Sequence, residues 1–95
     1  MIRSFADADT RLLWETGKSR RIPANIRKTA LKKLFILRRA LQLSDLEAPP
    51  GNRLEQLGRD RKGQHSIRIN DQWRLCFEWP EGEKGPSNVE IVDYH

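Results

Sequence analysis

The chain has 95 residues, enough for one hydrophobic core and too few for two, so we expect a single domain over residues 1–95. Hydrophobic residues make up 37% of it and charged residues 33%, which is typical of a soluble globular domain. No apolar run reaches the ~20 residues of a membrane span and no secretory signal is visible, so a cytoplasmic location without a membrane partner is expected. One cysteine and two histidines exclude a disulfide scaffold and are too few for a zinc site, so we expect no metal and no cofactor.

The formal net charge is +5, and the positive charge is distributed unevenly along the chain. Half of all Lys and Arg residues lie between Lys18 and Arg39, and no acidic residue occurs between Glu15 and Asp45. A concentration of positive charge of this kind predicts an anionic partner, such as RNA, the ribosome or an acidic protein.

Two helices are predicted in the first half of the chain. After a weak strand pattern over residues 1–5, a short helix is expected with Asp9 or Thr10 as its N-cap and Gly17 at its end. A longer helix is expected over residues 23–41, with Pro23 in its first turn. Its apolar stripe repeats at helical spacing and consists of Ile26, Ala30, Leu34, Leu37 and Leu41. The residues predicted to form a basic flank beside that stripe are Arg27, Lys28, Lys32, Arg38 and Arg39.

The second half of the chain has the periodicity of β-strands. Pro49-Pro50-Gly51 ends the helical pattern, and alternating apolar positions predict strands over 54–57, 65–69, 73–79 and 89–94. The turn at 70–72 and the loop at 80–86 connect the later strands and favour antiparallel pairing. The sequence therefore predicts an α+β fold, in which an N-terminal strand and two helices pack on one face of an antiparallel sheet of about four strands.

Arg74 is a charged residue within an apolar strand, and alternation places it on the sheet face opposite the core. Because an unpaired buried charge is costly, Arg74 must reach a partner or a ligand. Two interpretations stay open at this point: an ion pair with Glu78 or Glu90, and phosphate binding. Further candidates for phosphate contacts, or else for a solvated surface, are Arg59, Arg61, Lys62 and Arg68.

The chain ends in Asp93-Tyr94-His95, which contains a candidate acid/base pair. An imidazole has a reference pKa of about 6.5, and Asp93 lies two residues from His95 on the same side of an extended strand. The pair can therefore transfer protons near neutrality, although a frayed and inert terminus is the ordinary alternative. His65 lies on the side of Ile67 and Ile69, so a packed histidine is favoured over a catalytic one.

Three segments together resemble the HigB-like toxins of the RelE superfamily, also called plasmid-maintenance killer proteins. They are residues 49–55, residues 63–77 with the pattern Ile67-Arg68-x-Asn70-x-x-Trp73-Arg74, and residues 89–95 with the terminal Asp93-Tyr94-His95. The resemblance covers essentially the whole chain. It implies a RelE-like microbial ribonuclease fold and the toxin of a type II toxin–antitoxin system, an endoribonuclease that cleaves mRNA on the translating ribosome and inhibits growth.

The resemblance also implies partners and site residues. The partners would be the ribosome with its mRNA and a HigA-like, DNA-binding antitoxin, which together with the toxin can form a hetero-oligomer on operator DNA. The phosphate-contacting arginine falls on Arg74, and the terminal catalytic group falls on Asp93, Tyr94 and His95. Some family members carry a lysine and a histidine where this chain has Glu55 and Gly58, so a cation of the 59–62 turn would have to substitute.

A metal-independent cleavage would begin with attack by the ribose 2′-OH. In this scheme Arg74 stabilises the phosphorane, Asp93 and His95 divide the acid/base work, and Tyr94 orients or stacks on a base. The departure from the family at Glu55 and Gly58 makes a weak or slow toxin one alternative. A non-catalytic RNA- or ribosome-binding module that uses the same basic surface is another. A DNA-binding regulator is less favoured, because no helix-turn-helix pattern adjoins the basic helix.

Overall fold

The computed structural model describes residues 1–94, which form two α-helices and one four-stranded sheet. The helices are α1 (Ala8–Thr16) and α2 (Ala24–Arg39). The strands are β1 (Glu55–Gln56), β2 (Gln64–Arg68), β3 (Trp73–Glu78) and β4 (Ser87–Asp93), paired antiparallel in chain order. The predicted α+β fold is confirmed. The predicted N-terminal strand is reduced to a single parallel bridge between Phe5 and Val89.

The N-cap of α1 is Asp7, so the prediction of Asp9 or Thr10 was wrong. An Asp7 carboxylate oxygen accepts a hydrogen bond from the Thr10 backbone N–H at 3.2 Å, which satisfies one of the free donors of the first turn. The Thr10 hydroxyl has another role, because it is buried and accepts a hydrogen bond from the Ile91 backbone N–H at 3.0 Å. Gly17 ends the helix in the left-handed conformation, at φ 80, as predicted.

The buried stripe of α2 consists of Ile26, Ala30, Leu34 and Leu37, in agreement with the periodicity. The helix stops at Arg39, and Leu41 is 80% exposed, so the predicted extension to Leu41 was wrong. The physical reason is the next turn, where the Asp45 carboxylate accepts hydrogen bonds from the backbone N–H groups of Leu41 and Gln42.

Arg27 does not belong to the exposed basic flank. It is half-buried, and it donates hydrogen bonds to the carbonyl oxygens of Ile22 at 2.9 Å and Ser19 at 2.7 Å. Arg27 therefore closes the turn that precedes α2. The basic flank, as the structure has it, is the exposed set Lys28, Lys32, Arg38 and Arg39.

The core lies between the helices and one face of the sheet. Leu75 and Phe77 of β3 are fully buried there, as are Leu13 of α1 and Leu34 of α2. The opposite side, which we call the polar sheet face, contains Ser66, Arg68, Arg74, Cys76 and Glu90. Cross-strand pairing places Ser66 beside Cys76 and Arg68 beside Arg74, so the alternation read from the sequence holds in the folded sheet. Within residues 1–94, no helix has the length and apolar character needed to span a membrane.

Candidate functional site

A cleft of about 310 Å³ lies at one end of the polar sheet face. Its lining residues come from the loop before β1, from β1, from β2 and the turn after it, from β3, and from the segment after β4; they are Arg53, Glu55, Arg68, Asn70, Asp71, Arg74 and Tyr94. Antiparallel pairing brings these separate segments together, because the ends of neighbouring strands meet at one edge of the sheet. The cleft thus gathers three guanidinium groups, two carboxylates, one amide and one aromatic ring.

Arg74 is held in this cleft by neutral acceptors. Its Nε donates to the Ser66 hydroxyl oxygen at 2.7 Å, and its Nη2 donates to the Arg53 carbonyl oxygen at 2.6 Å. The side chain is 11% exposed, and its Nη2 forms a long ion pair with Oε1 of Glu55 at 4.0 Å. The predicted ion pair with Glu78 or Glu90 was wrong: Glu90 pairs with Arg61 at 2.8 Å, and Glu78 accepts a hydrogen bond from Asn88.

Within residues 1–94 the charge of Arg74 is offset by one long ion pair, with the exposed Glu55 carboxylate, while its hydrogen bonds go to neutral atoms. A hydroxyl and a carbonyl fix the orientation of the guanidinium without cancelling its charge. Among residues 1–94, Nη1 of Arg74 has no hydrogen-bond acceptor. Because the Arg74 side chain itself is 11% exposed, a charge interaction that it makes is stronger than the same interaction of a fully exposed arginine. The arrangement is suited to binding an anion of phosphate type.

The other predicted RNA-binding residues lie in different surroundings. Arg68 lines the cleft and forms an ion pair with Asp71. Arg61 lies outside the cleft lining, and its hydrogen bond with Glu90 raises the pKa of its guanidinium above the ordinary value. Arg59 and Lys62 are exposed at the turn before β2, also outside the lining. The structure therefore brings Arg68, but not Arg59, Arg61 or Lys62, next to Arg74.

Of the predicted catalytic residues of the C-terminus, Asp93 and Tyr94 lie in different surroundings. Tyr94 lines the cleft and is 38% exposed, and its backbone N–H donates to the Gln72 carbonyl oxygen at 2.6 Å. Asp93 lies opposite Trp73 in the β3–β4 ladder, and its carboxylate accepts a hydrogen bond from the Gln72 side chain at 3.1 Å. Between the two that the structure describes, Tyr94 lines the cleft with Arg74 and Asp93 does not. His95 lies outside the described residues.

His65 and Cys76 are packed side chains. The His65 ring lies 6.0 Å from the ring of Phe77, centroid to centroid, and burial lowers the pKa of its imidazole, so the neutral form is favoured. Cys76 is fully buried, and burial raises the pKa of its thiol to about 11. The thiol is therefore protonated near neutrality and is a poor nucleophile. Residues 1–94 contain no cluster of His, Cys, Asp and Glu that could hold a metal ion.

Four residues that line the cleft were not predicted from the sequence as site residues: Arg53, Glu55, Asn70 and Asp71. Arg53 follows a short turn, Pro50–Asn52, and has φ 45, a left-handed conformation that no periodic pattern indicates. Asn70 shapes the β2–β3 turn, because its side-chain oxygen accepts from the backbone N–H groups of Gln72 and Trp73, each at 2.8 Å. The available signal was the family pattern, which includes both Arg53 and Asn70.

The sequence model of one protein family, described as "RelE-like toxin of type II toxin-antitoxin system HigB", matches residues 3–95. The chain belongs to the HigB-like toxin family. Among curated proteins, this HigB-like chain is 43% identical over 83 residues to "Toxin HigB-1" of Vibrio cholerae, covering 86% of this chain and 87% of that protein. It is 30% identical over 95 residues to "Endoribonuclease HigB" of Proteus vulgaris, covering 100% of both chains.

A solved structure supports the fold of this HigB-like toxin. YafQ from E. coli strain BL21(DE3) superimposes with a TM-score of 0.53 at 18% identity, covering 98% of this chain and 91% of the other. At that level of identity the likeness concerns the fold, which is the RelE-like one that the sequence resemblance implied. Because this family comprises toxins of type II toxin–antitoxin systems, membership implies an antitoxin partner.

Proposed function

We propose that this chain is a growth-inhibiting toxin that cleaves mRNA on the translating ribosome. Family membership supports the toxin role, and the name of the Proteus vulgaris relative supports RNA as the substrate. The observation that carries the proposal is the guanidinium of Arg74, oriented by hydrogen bonds to the neutral groups of Ser66 and Arg53 and paired with the exposed Glu55 carboxylate only at the long distance of 4.0 Å. A phosphodiester that enters the cleft would compete with Glu55 for that charge.

The proposed chemistry is a transfer within the RNA itself. A base removes the proton of the 2′-OH, the 2′-oxygen bonds to phosphorus, and the bond from phosphorus to the 5′-oxygen breaks. An acid gives its proton to the departing 5′-oxygen, so the products are a 2′,3′-cyclic phosphate and a 5′-hydroxyl. Arg74 stabilises the dianionic phosphorane, whose extra negative charge exists in the transition state and not in the bound substrate.

We assign the acid/base work to Asp93 and His95, two members of the terminal catalytic group that the family resemblance implies. Tyr94 lines the same cleft as Arg74, which supports a role in which its ring stacks on a base and its hydroxyl forms a hydrogen bond with the RNA. Arg53 and Arg68 also line the cleft and supply further positive charge to a bound RNA backbone. Arg59, Arg61 and Lys62 lie outside the cleft, and phosphate contacts by them would extend the positively charged surface that binds the RNA backbone.

The proposed partners follow from this role. In the cytoplasm the toxin would bind the ribosome with its mRNA, and a HigA-like, DNA-binding antitoxin would neutralise it. Toxin and antitoxin together can form a hetero-oligomer on operator DNA. The second candidate function, a non-catalytic RNA- or ribosome-binding module, uses the same positive surface but performs no cleavage.

Mapping RNA ends in cells tests the proposal. After induction of the wild-type chain, we expect cuts inside translated messages at codon-linked positions, and none after induction of Arg74→Ala at equal protein level. New 5′ ends that can be ligated only after enzymatic phosphorylation would support the 2′-OH route, because that route leaves a 5′-hydroxyl. Intact RNA combined with retained co-sedimentation on ribosomes would overturn cleavage in favour of the binding module.

A further inference from the structure

A polar junction connects α2 to the cleft. It consists of Lys33 of α2, Asn52 at its centre, and the backbone carbonyl groups that Asn52 binds. Asn52 is fully buried. Its Nδ2 donates to the carbonyl oxygens of Leu46 at 3.2 Å and Ala48 at 3.1 Å, and its Oδ1 accepts from the Lys33 ammonium at 2.7 Å. An amide with both donors and its acceptor in use holds one orientation, because any rotation would leave a buried polar atom without a partner.

The junction leads directly to Arg74 through the backbone. Asn52 is the last residue of the short turn Pro50–Asn52, and the next residue, Arg53, is in the left-handed region at φ 45. That backbone conformation is unfavourable for any residue other than glycine, and it persists only where neighbouring contacts stabilise it. The Arg53 carbonyl oxygen then accepts the 2.6 Å hydrogen bond from Nη2 of Arg74. The position of this carbonyl therefore depends on the turn that Asn52 anchors.

Lys33 differs from the lysines of the basic flank. It is half-buried, whereas Lys28 and Lys32 are exposed. Its ammonium bonds the Asn52 amide rather than a carboxylate. Burial, with the nearby charges of Arg68 and Lys32, lowers the pKa of Lys33 below the ordinary lysine value. Placing a lysine here has an electrostatic cost, and a neutral donor would satisfy Asn52 without that cost.

We propose that Lys33 and Asn52 are positioning residues for the reaction, which hold the Arg53 carbonyl against Arg74 and thereby fix its guanidinium for the scissile phosphate. The catalytic part of this proposal, a faster cleavage step, rests on the proposed function. The geometric claim, that loss of the Lys33 ammonium reorients Arg74, concerns the free protein.

The first measurement follows Arg74 directly in the folded chain by NMR. The Nε–H signal of Arg74 can be assigned by its disappearance in Arg74→Lys, and we expect Lys33→Met to shift or broaden it. Lys33→Arg, which keeps a cationic donor, should restore the wild-type signal. Lys18→Met is the matched control, because it removes the same charge from an exposed lysine on another part of the surface. An unchanged Arg74 signal in Lys33→Met would overturn the proposal.

The second measurement is the rate of a single round of cleavage on programmed ribosomes at saturating toxin. We expect Lys33→Met to lower this rate by about tenfold to a hundredfold, since misplacement by about 1 Å costs up to about 10²-fold. The affinity for the ribosome should stay within about twofold, because a positioning residue affects the cleavage step and not the binding of the toxin to the ribosome. In an Arg74→Lys background the effect of Lys33→Met should largely vanish; an equal loss in both backgrounds would mean a general structural role.

The two measurements separate the possible failures. If the wild-type chain cleaves no RNA, the proposed function fails, while the NMR comparison still decides whether Lys33 orients Arg74. If Lys33→Met does not fold, Lys33→Gln takes its place, because its shorter side chain cannot reach Asn52 in the same way. Normal cleavage together with a wild-type Arg74 signal in Lys33→Gln would then contradict the proposal.

Discussion

The Nε atom of Arg74 donates a 2.7 Å hydrogen bond to the hydroxyl oxygen of Ser66, a fully buried residue of the neighbouring strand. This bond ties the guanidinium to β2 as well as to its own strand, β3. Because Ser66 is neutral, the bond fixes the direction of the guanidinium without neutralising its charge, and the ion pair with Glu55 is long, at 4.0 Å. Arg74 is thus ordered and only weakly paired, which suits a group that stabilises charge developing during a reaction.

We expect Arg74→Ala to abolish growth inhibition and to lower cleavage by about 10²- to 10³-fold, the range found when one transition-state donor is removed. The fold should persist, because Arg74 lies on the polar sheet face and contributes no volume to the core. Growth after induction and thermal unfolding followed by circular dichroism measure the two effects separately.

Arg21→Ala is the control for that experiment. Arg21 forms exposed ion pairs with Asp7 and Asp9, and such pairs contribute about 0–1 kcal/mol to stability. This variant should keep both its fold and its toxicity. A large fall in the melting temperature of Arg74→Ala, beyond that of Arg21→Ala, would mean that Arg74 is mainly a structural residue.

The basic flank of Lys28, Lys32, Arg38 and Arg39 should contribute to binding the ribosome. Reversing two of these charges, in Lys28→Glu with Arg39→Glu, is expected to weaken co-sedimentation with ribosomes at low salt. The difference from wild type should shrink as salt rises, because exposed charges are screened over about 10 Å at 0.1 M salt. If co-sedimentation is unchanged at low and high salt, the flank serves antitoxin binding or solubility instead.

Deletion of His95 is expected to abolish RNA cleavage, because the proposed mechanism places an acid/base group there. Losing one such group costs about 10² to 10⁴ in rate. His65→Gln is the matched variant: His65 packs against Phe77, and burial lowers its pKa, so most activity should remain. Cleavage is measured on programmed ribosomes with equal amounts of each protein. Full activity after deletion would move the acid/base role to Asp93, Tyr94 or His65.

Cys76 should resist alkylation in the folded protein and react readily in denaturant. Burial raises the pKa of the thiol to about 11, so the thiol is both covered and protonated at about pH 8. Mass spectrometry after treatment with iodoacetamide measures the modified fraction. Rapid labelling under native conditions would contradict the burial of Cys76 between Ser66 and Glu90.

The raised pKa of Cys76 also predicts the direction of a pH effect on stability. Between the ordinary value of 9.0 and about 11, the unfolded chain loses the thiol proton while the folded chain keeps it. The contribution of the protonated Cys76 thiol to the free energy of unfolding is therefore fully present below pH 9.0 and is lost as the pH rises through about 11. The fall in melting temperature from about pH 8 to about pH 10 should be smaller in Cys76→Ala than in wild type. An equal fall in both proteins would show that other groups govern the alkaline limit.

Local patterns were sufficient to predict the order of the elements and the faces of the sheet. The buried stripe of α2 from Ile26 to Leu37 follows from helical spacing, and the alternation of Leu75 and Phe77 against Arg74 follows from the two-residue period of a strand. Gly17 and the 70–72 turn follow from backbone preferences of single residues. All of these are properties of neighbours in sequence, and a sequence displays them directly.

The partners of the polar groups depended on distances that a sequence does not contain. From the sequence alone, Glu90 was as good a candidate partner for Arg74 as any ligand. In the fold, the Arg61 side chain, 29 positions away along the chain, lies 2.8 Å from the Glu90 carboxylate. Thr10 could have capped α1, but β4 approaches from 81 positions away and its Ile91 N–H bonds the Thr10 hydroxyl. Each polar side chain satisfies its hydrogen bonds with whichever group is nearest in space, and the packing of helices on the sheet determines which group that is.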